Sequence, residues 1–272
     1  MMPGFDMHIH TPASDGLCPI EKIIELAQAA GLDGIAITDH DTVFGLAEAQ
    51  KIAKTMSFPL IPGIELSADW EGIDVHILGY WIDYDQSWLI QRLELLQEDR
   101  LDRCYRIARK LAALKMPIDA AAIIKSAGAS VGRPHIAKAM VQKGYVTTEK
   151  EAFRKWLGKG MQAYVPRVKF SPFEALDMIQ RAGGAAVLAH PATGVPDSLV
   201  GPLAHMGLAG IEVYHPEHNH VAENKYLRFA RYFRLAILGG SDFHGRPDRQ
   251  IGCKTTALMQ LERLAAKREM IK

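Results

Sequence analysis

The chain of 272 residues is 48% hydrophobic, long enough to bury a sizeable core as one large domain or as a large domain carrying a smaller one. Lys and Arg (32) nearly cancel Asp and Glu (31), which excludes a global field drawing the protein onto a DNA duplex or an anionic membrane, so any anion must be gripped locally. The three cysteines, Cys18, Cys104 and Cys253, are dispersed and odd in number, no apolar run approaches the ~18 to 20 residues of a membrane helix, and no leader-like segment precedes the first motif. The expectation is a soluble, cytoplasmic protein with reduced thiols.

Phe5 to His10 reads as the first strand. Ile20, Ile23, Ile24, Ala27 and Ala30 recur at helical spacing, with Pro19 suited to the first turn and Gly31 to the C-terminal cap, predicting a helix over 20–30. Strands follow at 34–38, 60–67 and 75–80. From about residue 86 to 165 the pattern changes to consecutive helical signals at 88–114, 120–127, 134–144 and 148–157, and strands resume at 185–189, 210–214 and 236–240. Short Ile/Val/Leu-rich runs alternating with amphipathic stretches predict βα units around a parallel sheet. In this α/β chain, 1–85 and 166–272 make the barrel, and 86–165 is a helical insertion over its mouth that supplies substrate contacts.

Nearly every strand delivers a His, Asp or Glu at or just after its C-terminal end, where barrel and open α/β folds build their sites. The series is His8, His10, Asp15, His40, Glu65, His76, His190, Asp242 and His244. His8 and His10 stand two apart on a strand, so both face one side and can grip one ion. Burying this many charges without partners would be costly, and metal ions resolve that cost. Asp6, on the same side as His8, is expected to accept its free ring N–H, and Asp39 to cap a turn.

With these motifs in place the chain resembles the polymerase-and-histidinol-phosphatase (PHP) family: Asp6-Met-His8-Ile-His10-Thr11, Ile37-Thr-Asp39-His40-Asp41, Pro62-Gly-Ile-Glu65, His76-Ile-Leu-Gly79, Leu188-Ala-His190-Pro191 and Gly240-Ser-Asp242-Phe-His244. The resemblance implies a distorted (β/α)7 TIM-like barrel, two or three divalent ions and phosphoester hydrolysis. It also implies that His8, His10, Glu65 and Asp242 hold one ion; bridging Glu65, His76 and His190 a second; and Asp15, His40 and His244 a third. Many members carry a histidine where this chain has Asp15; a carboxylate there favours Mn²⁺ or Mg²⁺ over Zn²⁺ and could equally weaken that site.

Clustered ions lower the pKa of bound water toward ~7 and clamp ester oxygens, so no serine or cysteine nucleophile is required. Asp242 and His244 are the catalytic ligands singled out, and His215, in Tyr214-His215-Pro216, is the candidate proton donor to the leaving oxygen, with His218 and Asp41 behind it. An orienting role for His215 toward a ligand is the other reading. In the insertion, Ser130-Val-Gly132-Arg133-Pro134-His135-Ile-Ala-Lys138 is a turn leading into a helix start that can take an anion, with Ser130, Arg133, His135 and Lys138 as substrate contacts. A merely basic surface helix fits the pattern as well. The Gly-Arg-Pro-His element is similar to that of stand-alone PHP phosphoesterases acting on 3′,5′-nucleoside bisphosphates and short RNA 5′ ends. That resemblance implies a metal-dependent phosphatase removing the 3′-phosphate of a 3′,5′-bisphosphorylated nucleoside, with a 5′→3′ exoribonuclease, a histidinol-phosphate phosphatase and a non-catalytic polymerase-associated module as alternatives. Asn219 is a candidate ribose or base contact that a plain turn also explains, as with His220, and Arg167, Lys169, Arg246 and Arg249 are further basic groups.

Overall fold

The computed structural model describes residues 4–127, 130–167 and 170–271. Seven strands, β1 (Phe5–Asp6), β2 (Gly34–Ile37), β3 (Leu60–Trp70), β4 (Ile73–Tyr80), β5 (Ala185–Leu188), β6 (Gly210–Tyr214) and β7 (Ala236–Gly239), lie side by side in chain order. Bridges from Phe5 to Thr256 and from Ile9 to Phe243 bring the last strand's extension back to the first, giving a nearly closed, distorted seven-stranded barrel. Around it run α1 (Ile20–Ala29) and α2 (Leu46–Thr55), then α3 (Ser87–Ala113), α4 (Ala120–Ser126), α5 (Arg133–Gln142) and α6 (Glu149–Ala152) of the insertion. The barrel resumes with α7 (Pro172–Arg181), α8 (Val200–His205), α9 (His220–Tyr232) and α10 (Leu258–Ile271).

Local chemistry explains these elements. Ile20, Ile23, Ile24 and Ala27 of α1 are buried, the stripe anticipated from their spacing. Helix α7 begins with Pro172 inside a reciprocal capping box between Ser171 and Glu174, which satisfies two otherwise unpaired N–H groups.

The expectation of a wholly parallel sheet is corrected at β4, which runs antiparallel to both β3 and β5. Only Glu71 and Gly72 connect β3 to β4, both at positive φ (53° and 80°), the backbone of a tight hairpin, whereas a parallel crossover needs a dozen or more residues. The reversal has a functional consequence: the N-terminal half of β4, carrying His76, reaches the rim that the other strands reach with their C-terminal ends.

The insertion has an apolar cluster of its own, including Cys104, Ile107, Leu111, Met140, Leu157 and Val165. The first turns of α3, through Leu89 and Leu93, pack instead with the barrel core. The single helix expected over 148–157 is a short α6 followed by a π-helical turn, Phe153–Leu157, which sets the Phe153 ring 5.4 Å from the Arg133 guanidinium.

Candidate metal centre

Past β1 the chain stays extended, so His8 and His10 point inward with neither exposed, while Ile9 between them enters the apolar core. The next loop is braced by Asp39, whose carboxylate accepts the Thr11 N–H at 2.8 Å and its hydroxyl at 2.7 Å, and which also takes the Ser14 hydroxyl. That is the turn-holding role expected of Asp39, and it delivers Asp15. Gly16 is required here, because a Cβ would sit 2.3 Å from the His10 carbonyl oxygen.

Glu65, buried in the middle of β3, is the hub. Its Oε2 lies 3.3 Å from His8 Nε2, 3.3 Å from His10 Nε2 and 3.0 Å from His40 Nδ1. Its Oε1 lies 2.8 Å from His76 Nδ1 and 3.0 Å from His190 Nε2. One carboxylate thus meets five imidazoles, the arrangement a bridging ligand requires. Asp242 Oδ1 completes the inner wall at 3.5 Å from His8 Nε2 and 3.2 Å from His10 Nε2. His244 Nε2 lies 3.2 Å from Asp15 Oδ1, and His10 Nδ1 lies 3.7 Å from the same oxygen.

The donor set fits divalent ions. His8 Nε2, both ring nitrogens of His10, His40 Nδ1 and Glu65 Oε2 are buried without a hydrogen-bond partner, a costly state in a low-dielectric interior that coordination relieves. Ligand atoms gather within 4.8 Å of one another in three sets: His8, His10 and Glu65; His40, Glu65 and His76; and His10, Asp15, His40 and His244. His40 therefore lies between two sets, and His10 is shared in the same way. Burial disfavours ionised Glu65, but His40, His8 and His76 outweigh it and hold the carboxyl well below its ordinary range.

Backbone and tautomers are fixed for this purpose. Asp41, His190 and Asp242 all adopt positive φ (49°, 23° and 51°), left-handed or near it, where non-glycine residues are strained by roughly 1–3 kcal/mol. Gly240 lets the strand leading to Asp242 press against His8, whose Cβ would be 2.4 Å from an added methyl. His244 Nδ1 lies 2.8 Å from the Asp242 carbonyl oxygen, so it carries the proton and leaves Nε2 to face Asp15.

A buried carboxylate escaped the sequence reading. Glu212, in the middle of β6 and 1% exposed, sets Oε1 3.2 Å from His8 Nδ1 and accepts the His190 N–H on Oε2 at 2.7 Å. It takes the role expected of Asp6, which is corrected: the Asp6 carboxylate accepts backbone N–H groups of His8, Ser241 and Gly252 and does not meet the His8 ring. The available signal was a lone carboxylate inside the apolar run Gly210-Ile-Glu212-Val-Tyr214, since such groups are seldom buried unpaired.

His215 is 1% exposed. Its Nδ1 accepts the Glu217 N–H at 3.2 Å, so its proton is on Nε2, 3.5 Å from Asp242 Oδ2. His218 is held by the Val213 carbonyl and by Ala192 N–H. Asp41 pairs with Arg100 and accepts the Ser67 N–H at 2.8 Å. Both side chains are thus engaged by neighbouring groups of the protein. Asn219 caps α9 through the Ala222 N–H (2.9 Å), the turn explanation the sequence allowed.

Next to the ligands, a cavity of about 110 Å³ is lined by Asp15, His40, His76, Ser130, Arg133 and Arg167. Arg133 pairs with Asp74, Arg167 Nε lies 3.5 Å from Asp74, and Arg100 donates to Asp41 and Ser67. Arg103, bonded to the Val165 carbonyl oxygen, adds a fourth guanidinium beside the carboxylates of Asp15, Asp41 and Asp74. Burial, then Arg167 and Arg133, push Arg103 down to about 9. Ser130 Oγ and Arg167 Nε have no hydrogen-bond partner. Lys138 does not join this group; it lines a separate cleft on the other side of α5, and His135 lines both. Lys169 lies outside the described residues, and Arg249 pairs with Asp242 and Glu217. Arg100 and Arg103 gave no signal in the sequence, because charges on a long amphipathic helix read as solvated surface.

Known proteins resemble the chain over most of its length. The chain is 32% identical over 249 residues to a 5'-3' exoribonuclease of Haemophilus influenzae, covering 90% of this chain and 91% of that one. It is 32% identical over 260 residues to a 3',5'-nucleoside bisphosphate phosphatase of Chromobacterium violaceum, covering 92% and 91%. A crystal structure from Bifidobacterium adolescentis, described as a metal-dependent phosphoesterase, superposes with a TM-score of 0.87 at 29% identity over 98% of this chain and 97% of that one. The PHP domain matches residues 6–159, and with the ligand cluster above it follows that the chain belongs to the PHP family of metal-dependent hydrolases acting on phosphoester bonds.

Proposed function

We propose that this enzyme removes the 3′-phosphate from 3′,5′-bisphosphorylated nucleosides such as adenosine 3′,5′-bisphosphate, giving the 5′-monophosphate and phosphate. The observation that carries this reading is the arginine-rich cavity directly beside the ligand cluster, where Ser130 Oγ and Arg167 Nε make no hydrogen bond. A cavity of about 110 Å³ has room for one phosphate-sized group, since a water takes ~30 Å³. A substrate with two phosphates is what a charged pocket and a metal cluster side by side call for.

In this scheme Arg133 and Arg167, pre-set by Asp74, grip the non-reacting 5′-phosphate through charge-assisted hydrogen bonds, and Ser130 adds a hydroxyl donor. His135, at the first turn of α5, donates or accepts at the same end. His8, His10, Glu65 and Asp242 would hold one ion; bridging Glu65 with His76 and His190 a second; and Asp15, His40 and His244 a third. When bound, the ions supply a nucleophile from water near neutral pH and neutralise the ester's charge. Glu212 aims His8 and His190, while His215 Nε2, 3.5 Å from Asp242 Oδ2, is placed to orient that carboxylate. A ring 1% exposed behind a ligand suits this orienting role better than delivery of a proton to the leaving oxygen. Three carboxylates among the ligands, Asp15 included, favour Mn²⁺ or Mg²⁺ over Zn²⁺.

Phosphate release from adenosine 3′,5′-bisphosphate by purified, Mn²⁺-loaded protein tests the proposal. Inactivity there together with turnover of another phosphoester overturns the substrate assignment.

A further inference from the structure

Helix α3 buries one face through Leu89, Leu93, Cys104, Ile107 and Leu111, yet it carries a second apolar run on its outer side. There Ile90, Leu101 and Tyr105 are 38%, 37% and 47% exposed. Steps of four, three, four and seven residues set Glu94, Glu98, Leu101, Tyr105 and Ala112 in one seam, the spacing by which two helices meet. The two ends of that seam differ in charge: Glu94 and Glu98 lie in the N-terminal half, Arg109 borders the C-terminal half, and exposed Lys115 follows the helix. None of these four makes an ion pair among the described residues. At the N-terminal end a cleft of about 410 Å³ is lined by Phe44, Tyr84, Asp85, Ile90, Leu93 and Glu94, with Phe44 87% exposed. No Lys or Arg lines it among the described residues. An apolar surface of this kind, rimmed by charge, is the mark of a protein contact.

We infer that α3 forms the interface of a homodimer, in which the helices of two copies pack antiparallel about a two-fold axis between Leu101 and Asp102. Charge selects both the partner and the orientation. In this arrangement Leu101 meets its own copy across the axis, Glu94 faces Arg109 of the second copy about 11 Å away along the helix, and Glu98 faces its Tyr105, whose hydroxyl donates to the carboxylate. Each contact occurs twice. Parallel packing would instead set Glu94 and Glu98 against themselves, and a partner of one charge sign would match half of the seam and repel the other half. Asp102, beside the axis, is already offset within its own helix by Arg106 at 3.2 Å. The acidic cleft then receives the C-terminal end of the second α3, where Arg109 and Lys115 supply the cations it lacks. A stripe ~40 Å long and ~10 Å wide covers roughly 400 Å² per copy, about half of a standard interface, and the clefts at its two ends extend it. The pair is therefore expected to dissociate in the micromolar range.

Sedimentation velocity of the full chain from about 1 to 100 μM should show a monomer that becomes a dimer as concentration rises. Glu94→Arg and Arg109→Glu should each weaken the dimer about 10-fold or more, because each places like charges opposite one another twice. Combining the two should restore it, since the pair is rebuilt with its signs exchanged. Leu101→Glu should leave a monomer whose far-UV circular dichroism is unchanged, as expected for a site at the surface. A wild type that stays monomeric at every concentration overturns the homodimer and leaves this face to a different protein. A dimer indifferent to the single reversals, or one the double variant does not recover, overturns the antiparallel α3 contact.

Discussion

Glu212 Oε1 stands 3.2 Å from His8 Nδ1 while its Oε2 accepts the His190 N–H at 2.7 Å, so one buried carboxylate on β6 aligns ligands carried by two other strands. Glu212→Gln keeps the shape of the group and removes its charge. The expected result is a 10- to 100-fold loss of metal affinity, with much of kcat recovered at saturating metal. Metal titration followed by activity at each loading reads the two apart; unaltered affinity would falsify the assignment.

Asp242→Asn should lower turnover at least 1000-fold on every phosphoester tested, as a rough expectation for removing a ligand that also faces the inner wall of the site. Elemental analysis should find fewer ions per chain, and far-UV circular dichroism should be unchanged. A variant with full activity on any ester excludes Asp242 from the machinery.

Arg133→Ala is expected to raise KM for a nucleoside bisphosphate roughly 10- to 100-fold, the equivalent of a lost charge-assisted bond of about 1.5–3 kcal/mol, with a smaller effect on kcat. An unchanged KM removes Arg133 from the anchor.

Chelation should abolish activity, and Mn²⁺ or Mg²⁺ should restore it better than Zn²⁺. Because ions bind the folded chain, they should raise the melting temperature in proportion to their affinity; ligand at about 100 times Kd contributes ~2.7 kcal/mol. Equal melting temperatures with and without chelator would mean that the cluster binds no ion tightly.

Leu111→Ala tests the insertion's apolar cluster, in which Leu111 is fully buried. A loss of about 2–5 kcal/mol is expected from the transfer and cavity costs of such a truncation. Metal content should be retained while bisphosphate KM rises, because α5 and Arg133 belong to the insertion whereas the ligands belong to the barrel. Loss of metal content would show instead that the insertion and the metal centre unfold together.

Most of the candidate ligand series was legible because its members come at or after short apolar runs, whereas Asp15 sits in a loop and His76 in the N-terminal half of β4. Glu212, Arg100 and Asp74 were not legible for different reasons. Glu212 is a single charge inside a strand, and its partner His8 is 204 residues away. Arg100 and Asp74 are ordinary surface types whose pairings, with Asp41 and with Arg133, are created by the meeting of α3, α5 and β4. The sequence also misdirected at Asp6, which shares the periodicity of His8, because strand periodicity gives the side of a strand but not which donor lies nearest.

What the chain determined by itself is chemistry: the ligand types, their attachment to strand ends, and an arginine beside a proline-led helix start. These are local properties, fixed by spacing along a backbone of known geometry. Only the tertiary structure decided that β4 reverses so that His76 reaches the common rim, that Glu65 meets five imidazoles, and that Arg133 and Lys138 face two different cavities. Those relations depend on distances between residues far apart in the chain, set by how the barrel closes and how the insertion packs over it, and no local pattern encodes them.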